Sequence, residues 1–288
     1  MKTLKFAEID DGKTPSLSLQ HMQDFFKIKN IEIELVAFKS ENIENLLANQ
    51  YELVKSFNFL RMGYETSQKI LENWQAKPTQ VSLLGCCDSI VNENGALWPR
   101  VIMIESLRET IVSKIKDHDI KEAGYVICDD LKGRVLVAML LSLGHRRVYL
   151  VGEDEDFINS EVEWLRRFHI GIEILALPSH QLTLQTTRAS ILINTVVFPD
   201  GDPILNDLAY FNFMKDGGAV LDLDFANSKN PLLREAKRAA LKTIPRSYIS
   251  AFYDFSLIQK LNLKLDFSFE EFEKSWQKFL TEKVQNSP

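Results

Sequence analysis

Residues 126–156, VICDDLKGRVLVAMLLSLGHRRVYLVGEDED, constrain the fold more than any other part of the chain. They contain a short apolar strand, a turn, an apolar helix that stops at Leu143-Gly144, a second strand and an acidic cluster. This order is typical of a nucleotide-binding β-α-β unit. Such a unit carries glycines at its first turn, whereas this chain has Cys128-Asp129-Asp130-Leu131-Lys132 there.

Short apolar strands and helices keep alternating after about residue 104, which predicts a parallel sheet covered on both faces. The strands are expected at RRVYLVG, GIEILAL, ASILINTVVF and GGAVLDLDF. The sequence therefore predicts an α/β protein with a Rossmann-like doubly wound parallel sheet over residues 104–244. The helical pattern of residues 245–288 predicts C-terminal helices that pack back toward the first domain.

Residues 1–103 predict a separate α/β domain of the substrate-binding type. Helices are expected within SLSLQHMQDFFKI, with Ser16 or Ser18 as the N-cap, and within ENIENLLANQYELV. Strands are expected at IEIELVAF and FNFLRM. VSLLGCCDSIVNENGALW reads as two further strands joined by an Asn94-Gly95 turn, a strong hairpin signal.

Composition narrows the classes of partner. The 288 residues carry a formal net charge of −6 and no basic stripe, which disfavours nucleic acid and anionic membrane surfaces. No apolar run approaches the roughly 20 residues of a membrane-spanning helix. The start, MKTLKFAEIDD, turns acidic too early for a signal peptide. With three cysteines and no disulfide framework, a cytoplasmic protein is expected.

One C-terminal segment resembles a known enzyme family. GGAVLDLDFANSKNPLLREAKRAALKTI, residues 217–244, resembles the shikimate dehydrogenases, in which a strand precedes an NP or TP break and an LL..A...G pattern. The rest follows in the same order: SLS (16–18) resembles the family's Ser-x-Ser motif, and FNFLRMGYE (57–65) the strand that carries its catalytic lysine. LLGCCDSIVNENGALW and ASILINTVVF also resemble family strands.

The resemblance implies a first domain that holds shikimate or quinate, a second that binds NADP or NAD, and hydride transfer in the cleft between them. It also implies substrate contacts. Ser16 and Ser18 would hydrogen-bond a carboxylate, Asp88 (with Ser89) stands at the family's Asn-Thr, and Tyr253 stands at its substrate glutamine. Tyr64 aligns with the catalytic lysine.

Both catalytic positions look vacant. A tyrosine acts as a general acid only beside a cation that lowers its pKa, and Arg61 or Lys69 would have to supply that charge to Tyr64. The alternative is that Tyr64 is simply half-buried. At the family's catalytic aspartate, the segment WPRVIMIES offers no carboxylate before Glu105.

The cofactor positions depart from the family in charge. A pyrophosphate binds at a helix N-terminus where glycines let the backbone come close, and Asp129 and Asp130 oppose both needs. One repulsive pair at about 5 Å costs roughly 3 kcal/mol at an effective dielectric near 20. Lys132 and Arg134 would offset part of this. The favoured alternative is that Asp129 or Asp130 caps the following helix.

The second strand ends in Gly152-Glu153-Asp154-Glu155-Asp156. This run would repel a 2′-phosphate, whereas Glu153 could accept hydrogen bonds from an unmodified ribose, so NAD is expected over NADP if any dinucleotide binds. The favoured alternative is a solvated helix N-terminus. Asn194 and Thr195 match the family's strand beneath the cofactor.

Metal chemistry has little support. The five histidines form no His-x-x-x-His pair, and Cys86-Cys87 are interpreted as packing residues on opposite faces of a strand. Cys128 could be a reactive thiol at the strand end, but Asp129 and Asp130 would raise its pKa. No metal is expected.

Two hypotheses follow. The first is a shikimate dehydrogenase-like protein that has lost its dehydrogenase chemistry and acts as a small-molecule sensor, regulatory subunit or interaction protein without a cofactor. A small hydroxy acid is then the candidate ligand, and a protein partner is left open. The alternative is an active NAD- or NADP-dependent oxidoreductase of the shikimate/quinate type.

Overall fold

The computed structural model describes residues 3–9, 15–39, 56–198, 208, 211–223, 231–261, 263 and 266–285. The chain divides into two compact units: unit 1 is residues 1–106 with 247–288, and unit 2 is residues 107–246. The α/β fold class is confirmed. The helix expected within residues 41–54 lies outside the described residues. Among the described helices, none is long and apolar enough to cross a membrane.

The described elements follow the chain in one order. They are β1 (Leu4–Ile9), α1 (Leu17–Ile28), β2 (Ile33–Phe38), β3 (Phe59–Met62), α2 (Tyr64–Glu72), α3 (Thr79–Leu84), β4 (Ser89–Glu93), β5 (Ala96–Arg100), α4 (Ile102–Lys114), β6 (Ala123–Ile127), α5 (Lys132–Leu143), β7 (Arg147–Gly152), α6 (Glu155–Arg166), β8 (Glu173–Pro178), a 3₁₀ helix (Ser179–Leu184), β9 (Ala189–Asn194), β10 (Met214–Asp222), α7 (Leu232–Arg238), β11 (Lys242–Thr243), α8 (Arg246–Gln259) and α9 (Phe269–Gln285).

Unit 1 is built on a five-stranded mixed sheet in the order β2-β1-β3-β4-β5. β1 pairs in parallel with both β2 and β3, while β3, β4 and β5 are antiparallel. The predicted Asn94-Gly95 turn is confirmed: both residues have positive φ, 57° and 88°, as a two-residue hairpin turn requires. The sequence analysis did not identify strand β1, which lies inside the sheet because it pairs with a strand on each side.

The core of unit 1 is aromatic. Ser16 caps α1 by accepting a hydrogen bond from the Leu19 amide at 3.3 Å, as expected for one of the two serines. The buried face of α1 packs with α8 and α9, and Phe6 stacks on Phe59 at 4.4 Å between ring centroids. The main contributors are Phe6, Leu19, Met22, Phe25, Phe26, Phe59, Leu257, Phe272 and Trp276.

Two sequence expectations for residues 81–87 are wrong. The segment that begins at Val81 was expected to be a strand, but it forms helix α3, which buries Val81 and Leu84 three residues apart. Gly85 ends this helix with φ 68°, a left-handed conformation that suits glycine. Cys86 and Cys87 lie after the helix and before β4, not inside a strand, and both are buried with free thiols.

Unit 2 is a six-stranded parallel sheet in the order β11-β10-β9-β6-β7-β8. Counted from β6 as the first strand, this is the 3-2-1-4-5-6 order of the dinucleotide-binding fold. The strand order reverses between β6 and β9, and ligands of such sheets bind outside the carboxyl ends of the strands at that point. Gly144, with φ 108°, ends α5 as expected.

Candidate functional site

The centre of the polar cluster in unit 1 is the guanidinium of Arg61, on β3. One of its terminal nitrogens donates to Ser18 Oγ at 2.7 Å and to Asp254 Oδ1 at 3.2 Å. The other donates to Glu8 Oε2 at 2.9 Å and to Ser16 Oγ at 2.5 Å. One arginine thus joins β1, β3, α1 and α8.

The same partners bind one another. The Ser18 hydroxyl donates to both carboxylate oxygens of Asp254, at 2.6 and 2.7 Å, and the Ser16 amide donates to Glu8 Oε1 at 2.5 Å. The two serines that the sequence assigns to a substrate carboxylate therefore contact carboxylates and a guanidinium of this chain. Their role toward a ligand stays a prediction.

This Arg61 cluster carries an excess of negative charge. Glu8 and Asp254 are 3% and 1% exposed, and Arg61 is the cation paired with both. Burial raises the pKa of Asp254 to about 6, although Arg61 and Ser18 oppose the rise. Burial alone would lower the pKa of Arg61, but the charges of Asp254 and Glu8 raise it. The cluster thus combines two acidic side chains with one guanidinium.

Asp88 adjoins the cluster through Tyr253. Its Oδ1 accepts from the Ser89 hydroxyl at 2.6 Å and the Ile102 amide at 3.0 Å, and its Oδ2 accepts from the Met103 amide at 2.9 Å. Asp88 thereby satisfies the first amides of α4, a structural task at the place where the sequence suggested a substrate contact.

Burial raises the pKa of Asp88 to about 6 against these hydrogen bonds. Tyr253 lies close to Asp88 and Ser89. Burial, followed by the charge of Asp88, raises the pKa of Tyr253 well above its ordinary value. Asp88 and Tyr253 thus lie close together, and their assignment to a substrate pocket stays a prediction.

Tyr64 is the first residue of α2 and is buried. The two cations proposed to activate it are engaged or directed elsewhere. Arg61 binds Glu8 and Asp254, and Lys69 is exposed. Glu105, the first carboxylate after the position of the family's catalytic aspartate, forms an ion pair with Lys260.

In unit 2 the turn after β6 carries its own ion pair. Asp130 Oδ1 accepts from the Lys132 amide at 2.8 Å, and its Oδ2 lies 2.7 Å from the Lys132 ammonium. Asp130 thus satisfies an amide at the start of α5, the kind of capping contact favoured from the sequence. Asp129 is exposed beside it.

Gly133 is the one glycine that remains in this turn. A Cβ here would overlap Cys128 Sγ and lie 2.9 Å from Leu150 Cδ1. In a G-x-G-x-x-G turn the third glycine lets the helix pack closely on the strands, and Gly133 allows the same close packing of α5 here. If Gly133 is aligned with this third glycine, Cys128 stands at the position of the first glycine and Asp130 at that of the second. The second is the one where the backbone approaches a pyrophosphate.

Arg134, proposed from the sequence to offset the aspartates, turns away from the turn. It forms a bidentate pair with Glu161 of α6, with two contacts of 2.6 Å, and both side chains are 6% exposed. Its guanidinium carbon lies 4.4 Å from the Trp164 ring centroid. Both cations near the turn therefore have carboxylate partners in this chain.

Asn194 and Thr195 lie at the carboxyl end of β9. The Asn194 amide group donates to Asp222 Oδ1 at 3.1 Å, and Asp222 forms an ion pair with Arg246. Thr195 donates from its amide and its hydroxyl to the Ile127 carbonyl, at 3.0 and 3.2 Å. These contacts join the ends of β6, β9 and β10 at the point where the strand order reverses.

The acidic run after β7 begins a helix. Asp154 is the N-cap of α6 and accepts from the Phe157 amide at 2.9 Å, while Glu155 and Asp156 occupy the first turn. Glu153 is exposed. The run thus has the geometry of the helix N-terminus favoured from the sequence, where acidic side chains are stabilised by the helix dipole.

Cys128 is 1% exposed, and burial, followed by the charges of Asp130 and Asp129, raises its pKa. The direction agrees with the sequence argument and leaves little thiolate at neutral pH. Among the residues that the structure describes, no three His, Cys, Asp or Glu side chains come together as a metal site.

Sequence reasoning missed Glu8 and Asp254. A signal existed for each: Glu8 alternates with Leu4 and Phe6 in β1, and Asp254 lies on an apolar face of α8 beside Tyr253. A carboxylate in such a position needs a partner, because an isolated buried charge is costly.

Comparison with known proteins gives the same fold. No family model matches the sequence, and neither does any curated protein. Among solved structures, quinate dehydrogenase from Corynebacterium glutamicum in complex with NAD has a TM-score of 0.79 at 11% identity, covering 96% of this chain and 99% of that one. Shikimate 5-dehydrogenase from Thermus thermophilus in complex with shikimate has 0.76 at 16%, with the same coverage.

Shikimate dehydrogenase from Aquifex aeolicus has a TM-score of 0.74 at 15% identity, covering 95% of this chain and 97% of that one. Identities this low show the fold and not the activity. The chain is therefore a divergent protein with the two-domain fold of the shikimate and quinate dehydrogenases.

Proposed function

We propose that this chain is a non-catalytic protein of the shikimate dehydrogenase fold with a regulatory or interaction role, located in the cytoplasm. The observation that carries the proposal is the Arg61 cluster. The hydroxyls of Ser16 and Ser18, the motif expected to hold a substrate carboxylate, bind Arg61 and Asp254 instead.

Charge supports the same conclusion. A small acid placed against Ser16 and Ser18 would meet Glu8 and Asp254, with Arg61 as the cation between them. One net like charge at about 5 Å costs roughly 3 kcal/mol at an effective dielectric near 20. We expect shikimate and quinate to bind weakly for this reason, so a regulatory or interaction role is favoured over sensing a small hydroxy acid here.

The catalytic positions support it independently. Proton transfer from a hydroxyl needs a side chain whose pKa lies near the working pH. Tyr64 stands where the family has its lysine, Lys69 is exposed, and Arg61 is held by two carboxylates. We infer that no group in this cluster is set up as the proton relay of a dehydrogenase.

The turn of unit 2 fits a pyrophosphate poorly. Asp130 places a carboxylate at the second glycine position, and Lys132 and Arg134 already pair with carboxylates. We propose that no dinucleotide binds at physiological concentration. The exposed acids Glu153 and Asp154 would disfavour a 2′-phosphate, so NAD would be preferred over NADP if either bound.

The second candidate is an active NAD- or NADP-dependent dehydrogenase for a cyclic hydroxy acid. The strand order of unit 2 and the close packing at Gly133 favour it, because both belong to dinucleotide-binding sheets. The two candidates differ in a simple respect: the enzyme must bind a dinucleotide and a hydroxy acid, whereas the proposed protein binds neither well.

The test is calorimetric titration of the wild-type protein with shikimate, quinate, NAD and NADP. We expect millimolar or weaker binding of all four. Micromolar binding of either dinucleotide, or NAD(P)-dependent oxidation of shikimate or quinate, would refute the proposal. Micromolar binding of shikimate alone would make the protein a sensor of small hydroxy acids.

A paired variant tests the cause of weak acid binding. Glu8→Gln with Asp254→Asn removes both negative charges and leaves Arg61, Ser16 and Ser18. We expect shikimate binding to strengthen by at least about a hundredfold, because the variant removes roughly 3 kcal/mol of net repulsion and leaves Arg61 as an unopposed cation. The control is Glu93→Gln, which removes the partner of Arg100 in the same unit and should leave binding unchanged. No gain in the paired variant would show that these charges do not set the affinity.

A further inference from the structure

We propose that Asp88 is a proton-operated cap on the first turn of helix α4. The Asp88 cap comprises the carboxyl group of Asp88 and the backbone amides of Ile102 and Met103, which donate to it at 3.0 and 2.9 Å. These are the first two residues of α4, and their amides have no acceptor inside the helix. The cap is complete while the carboxyl group is ionised, and one of its hydrogen bonds opens when the group takes up a proton.

The charge of Asp88 is compensated differently from that of the other buried acids. Among the residues that the structure describes, four further acids are buried, and each forms an ion pair with an arginine: Glu8 and Asp254 with Arg61, Glu161 with Arg134, and Asp222 with Arg246. Asp88 is 5% exposed and has no described lysine or arginine within ion-pair distance. The positive end of the α4 dipole takes the place of a cation. A buried carboxylate held in this way is protonated more readily than one beside an arginine.

The proton acts close to neutral pH. Burial raises the pKa of Asp88 from 3.8 to about 6, although its hydrogen bonds oppose the rise. The folded protein therefore binds this proton more tightly than the unfolded chain does. The stability that the proton adds is fully present below pH 3.8 and is lost as the pH rises through 6. Protonation of Asp88 thus opens the cap without itself destabilising the folded state.

The contacts of the two carboxyl oxygens indicate where the proton binds. Oδ1 accepts from the Ser89 hydroxyl at 2.6 Å and from the Ile102 amide, whereas Oδ2 accepts from the Met103 amide. A protonated carboxyl oxygen is a donor and a poor acceptor, so a proton on Oδ2 disrupts fewer contacts. The Met103 amide then loses its acceptor while the Ile102 amide keeps its own. The inference does not depend on whether the chain is an enzyme.

One neighbour of Asp88 titrates in the same range. Burial raises the pKa of Asp254 on α8 to about 6, and Tyr253 lies between the two acids. Burial raises the pKa of Tyr253 and of Cys87 above their ordinary values, so both stay neutral near pH 6. The charged side chains on the surrounding elements are paired: Arg61 of β3 with Glu8 and Asp254, Arg100 of β5 with Glu93, and Glu105 of α4 with Lys260. The experiment must therefore separate Asp88 from Asp254.

The test is an NMR titration of the wild-type protein between pH 5 and 8. We expect the Asp88 carboxyl carbon and the Met103 amide proton to shift together with a midpoint near pH 6. The Ser67 amide of α2, which donates to the Gly63 carbonyl at 3.0 Å, should not shift. Relative to a free amide at the same pH, protection of the Met103 amide from hydrogen exchange should be about fivefold lower at pH 5 than at pH 8, as loss of one cap implies.

Two matched variants assign the transition. Asp88→Asn places an amide nitrogen or a neutral oxygen at the cap, so the Met103 signal should show no transition. Asp254→Asn removes the other titrating acid and should leave the transition in place. A Met103 amide that does not respond in the wild type, or a transition that survives Asp88→Asn or disappears in Asp254→Asn, would overturn the proposal. If Asp88→Asn does not fold, the wild-type carboxyl carbon decides, because a midpoint below pH 5 excludes the switch.

Discussion

Arg61→Met is the substitution that most directly tests how the Arg61 cluster is stabilised. It keeps the apolar stem of the side chain and removes four hydrogen bonds, leaving Glu8 and Asp254 buried with no guanidinium between them. Breaking a buried ion pair from one side costs about 3–5 kcal/mol, because a charge is left uncompensated in a poorly solvated place. With a urea m-value of about 2–3 kcal/mol/M, the unfolding midpoint of unit 1 should fall by roughly 1.5 M.

The assay is urea unfolding followed by tryptophan fluorescence in a Trp164→Phe background. Trp74, Trp98 and Trp276 lie in unit 1, so the remaining signal reports on that unit. The matched control is Arg100→Met, whose half-exposed pair with Glu93 should contribute no more than about 1 kcal/mol.

The pH dependence of this loss has a definite sign. The pKa of Asp254 is about 6 in the folded protein, above its ordinary value of 3.8, so the folded state binds a proton more tightly than the unfolded state. This proton adds stability that is fully present below pH 3.8 and is lost as the pH rises through 6. Without Arg61 this pKa should rise further. The destabilisation should therefore be smaller at pH 5 than at pH 8.

Two results would refute the reasoning about Arg61. One is a loss at pH 8 no greater than that of the Arg100→Met control. The other concerns Glu8→Gln with Asp254→Asn added to Arg61→Met. Because the triple variant holds no unpaired charge, it should recover most of the lost stability, and failure to recover would show that packing of the arginine stem, not charge, was responsible.

Two further predictions concern stability. Burial lowers the pKa of His21 from 6.5 to about 4 in the folded protein, so the stability that neutral His21 contributes is present above pH 6.5 and is lost as the pH falls through 4. His21→Phe should therefore reduce by about 2 kcal/mol the loss of unfolding free energy between pH 7.5 and pH 5. An unaltered pH profile of stability would contradict this. Gly133→Ala should destabilise unit 2 by about 1–3 kcal/mol in thermal unfolding, because the new Cβ overlaps Cys128 Sγ. Adding Cys128→Ala should restore part of the lost stability. If the effects of the two substitutions on the unfolding free energy simply add, the overlap is not the cause.

Local signals made much of the fold predictable. The Asn94-Gly95 turn, the Ser16 cap and the Gly144 stop each act through the conformation of one or two residues, so they can be recognised without tertiary structure. The segment from Val81 was misread because a short, mostly apolar segment such as VSLL fits a strand and a short helix equally well. Its assignment depended on Gly85 ending the helix.

The Arg61 cluster was out of reach of such signals. Ser18 and Asp254 are 236 residues apart in the chain, and Arg61 and Glu8 are 53 apart, so only the folded sheet and helices bring them together. The sequence analysis assigned Ser16 and Ser18 to a substrate carboxylate and Arg61 to the activation of Tyr64. It could not say that they bind one another, because pairing of charges depends on tertiary contacts.

The two clusters share one physical rule, which constrains how this chain could acquire an anion site. A buried or half-buried carboxylate is tolerated only with a compensating positive charge, so Asp130 comes with Lys132, and Glu8 and Asp254 come with Arg61. Asp130→Gly would therefore do two things at once: it would open the second glycine position and remove the carboxylate that pairs with Lys132 at a helix N-terminus. In the Arg61 cluster one substitution does not suffice, because either remaining carboxylate still binds the guanidinium. We accordingly expect affinity for a dinucleotide to be easier to restore than affinity for a hydroxy acid.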